Sequence, residues 1–401
     1  MLKMRVVLFL MLVCLAASNT VWLRCSESLE EQIESASDGD LLRANANCEW
    51  TVDNAISIRS RVRIRGVRAK LKSGVGLTAI FKVLEPGVII EDFVLTGNKD
   101  SVKEAFRMSL ILVFKSDVII RRGVFYDSSQ NGVAVRANQG ATDIVGGLLE
   151  DLEGHGCARD VVSISTRDNG QRGTRNITVR NVRAYDSKKK GAVEVSDGAE
   201  DITVDNIYAE KCLYAIDIQD HSKGELESNN RISISNVHAY RCKYAVRSET
   251  TDIGHSDIEI SNVLAQGCVR TMALKNIRNL SIHNIRSEGN KGNGHAIELV
   301  NCDNLVLRDA RFGNRLGTVS AVWVKNSKNA RIYSVKLKSG SLFKYGITVL
   351  ATLSEDFESL MLEENDVASA STVGIRILET NAQSSLGDIV LANNIGTIRQ
   401  S

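Results

Sequence analysis

The sequence predicts an all-β chain wound into a parallel β-solenoid of about 12 to 13 coils, preceded by a short helix. Three observations carry this reading. One motif recurs: NITVRNVRAYDS (176–187), DITVDNIYAEKC (201–212), RISISNVHAYRC (231–242), DIEISNVLAQGC (257–268) and NLSIHNIRSEGN (279–290) share the pattern apolar-x-apolar-x-Asn-apolar-x-small. Its asparagines, Asn181, Asn206, Asn236, Asn262 and Asn284, are spaced 25, 30, 26 and 22 residues apart. A second run belongs to each unit: GAVEVSD (191–197), YAIDIQD (214–220), YAVRSET (244–250), RTMALKN (270–276) and HAIELVN (295–301). These runs alternate apolar and polar residues, as half-buried strands do. Apolar residues at helical spacing are missing, and propeller blades and leucine-rich repeats have other periods or consensus patterns.

Taking the elements in order, residues 1–18 read as a signal peptide. Lys3 and Arg5 precede the apolar run Val6 to Leu15, and Ala16-Ala17-Ser18 offers a cleavage site. A secreted or extracytoplasmic location is therefore expected, and no later run reaches the ~18 apolar residues of a membrane span. Without residues 1–18 the chain holds 48 basic and 48 acidic residues. That balance argues against a nucleic-acid partner, which selects for a basic excess. With 43% hydrophobic residues the chain is no disordered segment, and eight cysteines in 401 residues are too few for a disulfide scaffold.

Residues 19–51 read as an N-terminal cap segment. In SLEEQIESASDGDLLRA (28–44), Ser28 and Glu31 form a capping box for a short helix with Leu29 and Ile33 on one face. Cys25 and Cys48 flank this segment and are able to pair in an oxidising compartment.

Residues 52–401 read as the solenoid domain, with weaker copies of the motif at 87–97, 117–128, 304–314 and 329–339. Each coil climbs one strand spacing, ~4.8 Å, and pairs in parallel with its neighbours. The asparagines then fall at one bend, where a left-handed backbone suits them and their amides can link from coil to coil. Cys212, Cys242 and Cys268 also fall at equivalent places, and a stacked, shielded column of thiols is expected.

The same register sets out an outward column: Glu194, Asp217, Arg247, Ala273 and Glu298. A second outward column holds Ser196, Gln219, Glu249, Lys275 and Val300, and Asp197, Asp220 and His221 lie at the strand ends. Glu194 over Asp217 is a like-charge pair about 5 Å apart, a repulsion of about 3 kcal/mol at an effective dielectric near 20. A shared proton, Arg247 or a bound cation would relieve it. Glu194, Asp217 and Asp220 are accordingly candidate ligands for calcium. The polar insertions 167–175 and 220–230 frame the cluster as walls of a cleft, with Arg167, Asp197, Gln219, Asp220, His221 and Glu249 as candidate substrate contacts.

On these features, the period, the asparagine column and the N-terminal entry, the chain resembles the right-handed parallel β-helices of the pectin-lyase-like superfamily. The resemblance spans residues 28 to about 399 and implies an acidic polysaccharide as partner. Departures are plain. The adjacent Asp-Asp pair and the RIK tripeptide of polygalacturonase-type hydrolases are absent, and GHG at His155 stands without them. Arg247 with Glu194, Asp217 and Asp220 is similar in chemistry to a pectate-lyase site without matching its motif. The lysine-arginine pair of the chondroitinase-B and alginate-lyase branch has Lys275 and Arg247 as its counterparts. The expected function is β-elimination on a uronate polymer, with Arg247 or Lys275 removing the C5 proton. A hydrolase dividing acid and base roles between Glu194 and Asp217 is the first alternative. A non-catalytic glycan-binding or surface protein is the second.

Overall fold

The computed structural model describes residues 19–137, 143–166, 173–221, 227–250, 254–289, 292, 294–313, 319–352, 358–379 and 388–400. They form a parallel β-solenoid of about 12 turns. The inward column of one strand shows what holds it. Val162, Val193, Ile216, Val246, Met272, Ile297, Val322, Ile347 and Ile375 are matched coil by coil in parallel register. All nine are buried. Burying each such side chain contributes about 1.5–3 kcal/mol, and a slip of one residue would turn the whole column to solvent. The alternation therefore fixes the register.

The expected bend is present. Asn181, Asn206, Asn236, Asn262 and Asn284 all have φ between 52° and 56°, and they occupy one register position. Asn206 donates to Asn181 at 2.8 Å, Asn262 to Asn236 at 3.1 Å and Asn284 to Asn262 at 2.6 Å. One link is rerouted, because Asn236 donates to Asp205 Oδ1, at 2.7 Å, instead of to Asn206. The bend continues beyond the asparagines: Gly66, Asp92, Arg122, Asp151, Asp309, Ser334, Glu364 and Asn393 share its register and its positive φ.

Cys212, Cys242 and Cys268 are free, buried thiols, as are Cys157 and Cys302. The Sγ of Cys242 points to the carbonyl of Ala209 and that of Cys268 to Ala239, the same relation one coil apart. Cys25 and Cys48 form a disulfide.

The segment 19–51 already contributes to the ladder, so the boundary expected at residue 52 is not where pairing begins. Thr20–Leu23 pairs with Leu41–Ala44, which pairs with Arg63–Arg65. A six-residue helix, Leu29–Glu34, lies between the first two of these strands, and Ser28 Oγ accepts from the N–H of Glu31. Leu29 and Ile33 join the core. The expected signal segment, 1–18, lies outside the described residues. Among those described, no helix is long and apolar enough to cross a membrane.

Outward rings also stack. Tyr126 lies on His155 with centroids 5.1 Å apart and planes 15° apart, and His155 lies on Tyr185 at 4.9 Å and 8°. His155 Nε2 is 2.6 Å from Glu153, so this histidine is held within the ladder. His295 is stacked on Trp323 at 4.7 Å, and Trp323 thus covers a neighbour on its own surface.

Candidate functional site

The strands Gly191–Ser196, Tyr214–Gln219 and Tyr244–Glu249 carry the expected columns in the expected register: Ser163, Glu194, Asp217, Arg247 and Ala273 lie in one line, and Ser196, Gln219 and Glu249 in the next. The structure departs from expectation in what covers them. Glu194 and Asp217 are 2% and 0% exposed. They stand in an outward column yet lie beneath three cations, Arg159 and Lys190 from the turns that lead into two strands and Arg247 from the next strand of the ladder.

Lys190, from such a turn, donates to Glu194 at 2.7 Å and to Gln219 at 2.9 Å, and its Nζ is 3.9 Å from Asp217. Arg159, one coil earlier, lies 3.3 Å from Glu194, and Ser163 Oγ donates to the same carboxylate at 3.3 Å. Arg247 grips Asp217 with two bonds, 2.9 and 2.6 Å, and also reaches Glu249 at 3.0 Å. The side chains of Arg159, Lys190 and Arg247 keep 29%, 16% and 16% of their surface. Like-charge repulsion between the two acids is therefore relieved by three cations.

Tyr214 is the platform under this layer. Its ring is 5.0 Å from the Arg247 guanidinium and 5.8 Å from Lys190 Nζ, close enough for cation–π attraction. The Tyr214 hydroxyl donates to Asp160 Oδ1 at 2.9 Å, and the Gly191 N–H donates to the same oxygen at 3.0 Å. Gly191 is needed there, because a Cβ would lie 2.0 Å from the Tyr214 carbonyl oxygen.

These contacts push the three acids apart in ionisation. Burial pushes Asp160 up to about 8, helped by the charge of Glu194. Burial also holds Asp217 above the usual carboxylate range, since Arg247 offsets it only in part. At Glu194 burial acts in the same upward direction, but Lys190 and Arg159 outweigh it, so this carboxyl lies below its usual value. Burial depresses the guanidinium of Arg247, but Asp217 outweighs that and holds it above its usual value, firmly protonated.

At the strand ends, Asp197 is buried with a left-handed backbone, φ 60°. Its Oδ1 takes the His221 N–H at 3.1 Å and lies 2.6 Å from His221 Nδ1. A carboxylate only accepts, so Nδ1 carries the proton and a neutral imidazole keeps its lone pair on Nε2. His221 is partly exposed, and when protonated it adds to the charges that hold Glu194 ionised. Asp220 is buried, donates its N–H to the Glu249 carbonyl at 3.2 Å, and acts electrostatically on His255, which burial holds down to about 4.

Lys275 is exposed, and only its backbone takes part in bonds to this region, to Ser248 and Thr250. Arg167 lies outside the described residues, as do 168–172 and 222–226 of the two insertions. Among the described residues no group of three or more His, Cys, Asp or Glu is arranged to hold a metal. The calcium expectation meets a physical obstacle: Glu194 and Asp217 are already occupied by ammonium and guanidinium groups.

Beside Glu194 a cavity of about 260 Å³ opens, lined in part by Arg107, Arg136, Arg159, Ser163 and Ser165. Asp217 does not line it. Sequence reasoning missed Arg159, Lys190, Asp160 and Tyr214. Lys190 sits four residues before Glu194, and Tyr214 opens its strand where the preceding coil has Gly191, so spacing carried a faint signal for both.

No protein-family model matches the chain, and no curated protein does. Among solved structures, the A-module of a mannuronan C-5 epimerase from Azotobacter vinelandii is similar with a TM-score of 0.50 and 11% identity, over 92% of this chain and 93% of that one. The catalytic domain of a GH87 alpha-1,3-glucanase in complex with nigerose gives 0.46 and 12%, over 94% and 69%. Tailspike protein 3 of bacteriophage CBA120 gives 0.49 and 9%, over 91% and 58%. At such identities the likeness to the epimerase module is one of fold, in keeping with the parallel β-solenoid described above.

Proposed function

We propose that the protein is a secreted, carbohydrate-acting β-helix that binds an acidic polysaccharide across the face above Tyr214 and removes the proton beside a uronate carboxylate. The observation that carries this reading is the Asp197–His221 pair beside the cation layer. A buried carboxylate orients the imidazole and leaves the Nε2 lone pair free to act as a base. Arg159, Lys190 and Arg247 supply the positive charge that a uronate carboxylate needs as its α-proton leaves.

The step balances as follows. His221 Nε2 takes the C5 proton, and the electrons of that bond pass into the carboxylate as an enediolate held by the cations. Their return forms a C4–C5 double bond and expels the C4 oxygen with its electron pair, which solvent protonates. Arg247, locked by Asp217 and Glu249, serves as a clamp in this scheme and not as the base. Lys275 is left as an outer contact. The hydrolase alternative fits less well, because Asp217 is fully buried and Glu194 keeps only 2% of its surface. Calcium has no part in the scheme.

Removal of the C5 proton is also how a uronate is epimerised, the activity named for the neighbouring module. The test is to incubate the protein with polygalacturonate and with alginate in deuterated water, with and without calcium. New ultraviolet absorbance marks elimination, and deuterium at C5 without cleavage marks epimerisation. Binding with neither signal leaves the non-catalytic reading standing.

A further inference from the structure

The outward column that carries Glu194 and Asp217 runs back through Ser163, Ala134 and Leu112 to Lys82. It does not stay open along that length. Leu112 and Ala134 keep only 3% and 4% of their surface, and with Ala79 they form a small apolar cluster against which Met108 and Phe114 pack. An outward apolar pair buried in this way marks a wall across the face.

Two excursions of the chain, 72–79 and 97–110, build the wall. Asn98 Nδ2 donates to the carbonyls of Lys72 and Val75 at 2.9 and 2.7 Å, and the Leu77 N–H donates to the Phe106 carbonyl at 2.6 Å. The Met108 N–H donates to Ser129 Oγ at 3.1 Å. Lys189 donates to Glu104 at 3.0 Å, which straps the second excursion to a turn three coils further on.

The cavity of about 260 Å³ beside Glu194 lies against this wall. Leu77, Ala105 and Met108 close one side of it, and Ser163 and Ser165 stand on the strand beneath. It has room for one sugar ring and not for a run of them. A polymer entering from the Arg247 side has no way on past Leu112 along this column. The charged groups that line the cavity are Arg107, Arg136 and Arg159 against Glu194 alone. Glu194 is already matched by Lys190 at 2.7 Å. Glu104, 3.9 Å from Arg107, is held by Lys189, and Asp160 is buried and bonded to Tyr214. The Nε–H groups of Arg107 and Arg159 are buried without an acceptor among the described residues. The lining is thus positive in balance, with hydrogen-bonding capacity to spare.

We infer that this cavity is a dead-end subsite for the terminal residue of an acidic polysaccharide, so that the protein engages chain ends and not chain interiors. The inference rests on the reading that the polymer lies across the face above Tyr214.

The test uses the full chain with galacturonate oligomers from the trimer upward and with polygalacturonate. Affinity per chain should stay level as length grows, because each chain brings the same usable end. Affinity that rises in proportion to length would overturn the subsite, and so would equal binding of neutral maltotriose. Arg107→Gln and Arg136→Gln, with the fold checked by circular dichroism, should each weaken trimer binding about tenfold. Unchanged trimer affinity in both folded variants would also overturn it. Where C5 chemistry occurs, products should be of one small size and viscosity should fall little for each bond broken. A ladder of product sizes with a steep loss of viscosity would count against the subsite. If no C5 chemistry occurs, level affinity per chain sustains the subsite while the proposed reaction falls.

Discussion

Asp160 is a carboxyl that folding keeps protonated well into the neutral range. Its usual value is near 3.8 and burial carries it to about 8 in the folded protein. Between those values the unfolded chain releases a proton that the folded chain retains, so the stability Asp160 contributes is whole below about pH 4 and is lost as pH rises towards 8. Asp160→Asn keeps an oxygen for the Tyr214 hydroxyl and the Gly191 N–H, and should flatten this decline in a plot of melting temperature against pH. Glu194 acts with the opposite sign, because its value is lowered. Its contribution is present above the usual glutamate range and is lost on acidification, and that limb should survive in Asp160→Asn. If the variant shows the parent's slope from pH 4 to 8, Asp160 is ionised in the folded state. At the reacting atoms, Asp197→Asn should lower turnover by orders of magnitude, since the amide NH2 can donate to Nδ1 and hold the imidazole proton on Nε2, where a base is needed. A drop in affinity alone, with turnover intact, would make Asp197 a structural residue.

Within one coil, the bend and the thiol column are where side-chain choice can be tested. Asn236 sits at φ 55° and bonds to Asp205. Asn236→Ala forces an alanine into the left-handed region and removes the bond, a loss of about 1–2 kcal/mol. Asn236→Gly removes the bond without the backbone penalty and should cost less. Denaturant titration of the pair gives the order, and an alanine variant as stable as the glycine variant would contradict it. The thiols of Cys212, Cys242 and Cys268 are shielded, and the contact with Cys242, added to burial, pushes the Cys212 thiol far up. All three should resist alkylation in the native protein and react on unfolding; fast native labelling would contradict the packing described.

Over the whole molecule, the fold was legible because two short periods reinforce each other. The alternation in strands such as YAIDIQ sets which side faces in, and the asparagine spacing sets where each coil turns. Neither leaves freedom in the register, which is why the column Glu194, Asp217, Arg247 could be written down from sequence. The site was only half legible for the same reason. Period-two patterning describes strands and is silent about turns, and the groups that decide the chemistry of Glu194 and Asp217 arrive from turns: Lys190, Arg159 and Asp160. An outward register position is therefore not the same as an exposed one, because a long lysine or arginine from an adjacent turn folds over a short carboxylate and buries it. The bend residues Arg122, Ser334 and Glu364 show a related limit, since they keep the left-handed corner without the asparagine that marks it elsewhere.

That corner has a consequence for length. Because Gly, Asp, Arg, Asn, Ser and Glu all accept it, the solenoid can be viewed as a ruler whose graduations are set by the main chain. Asn304 and Asn329 are equivalent marks at another bend of the coil, with φ 50° and 51°, joined by a hydrogen bond at 3.2 Å. Excising residues 304–328 would bring Asp303 directly before Asn329 and shorten the molecule by one graduation, ~4.8 Å, with every later coil still in phase. Such a protein should keep its β-sheet spectrum and melt as one unit. An excision of half that size would put inward residues outside and should not fold. A solenoid of this kind is thus adjustable in whole steps of one strand spacing, and the length of polymer it grips should change in the same steps.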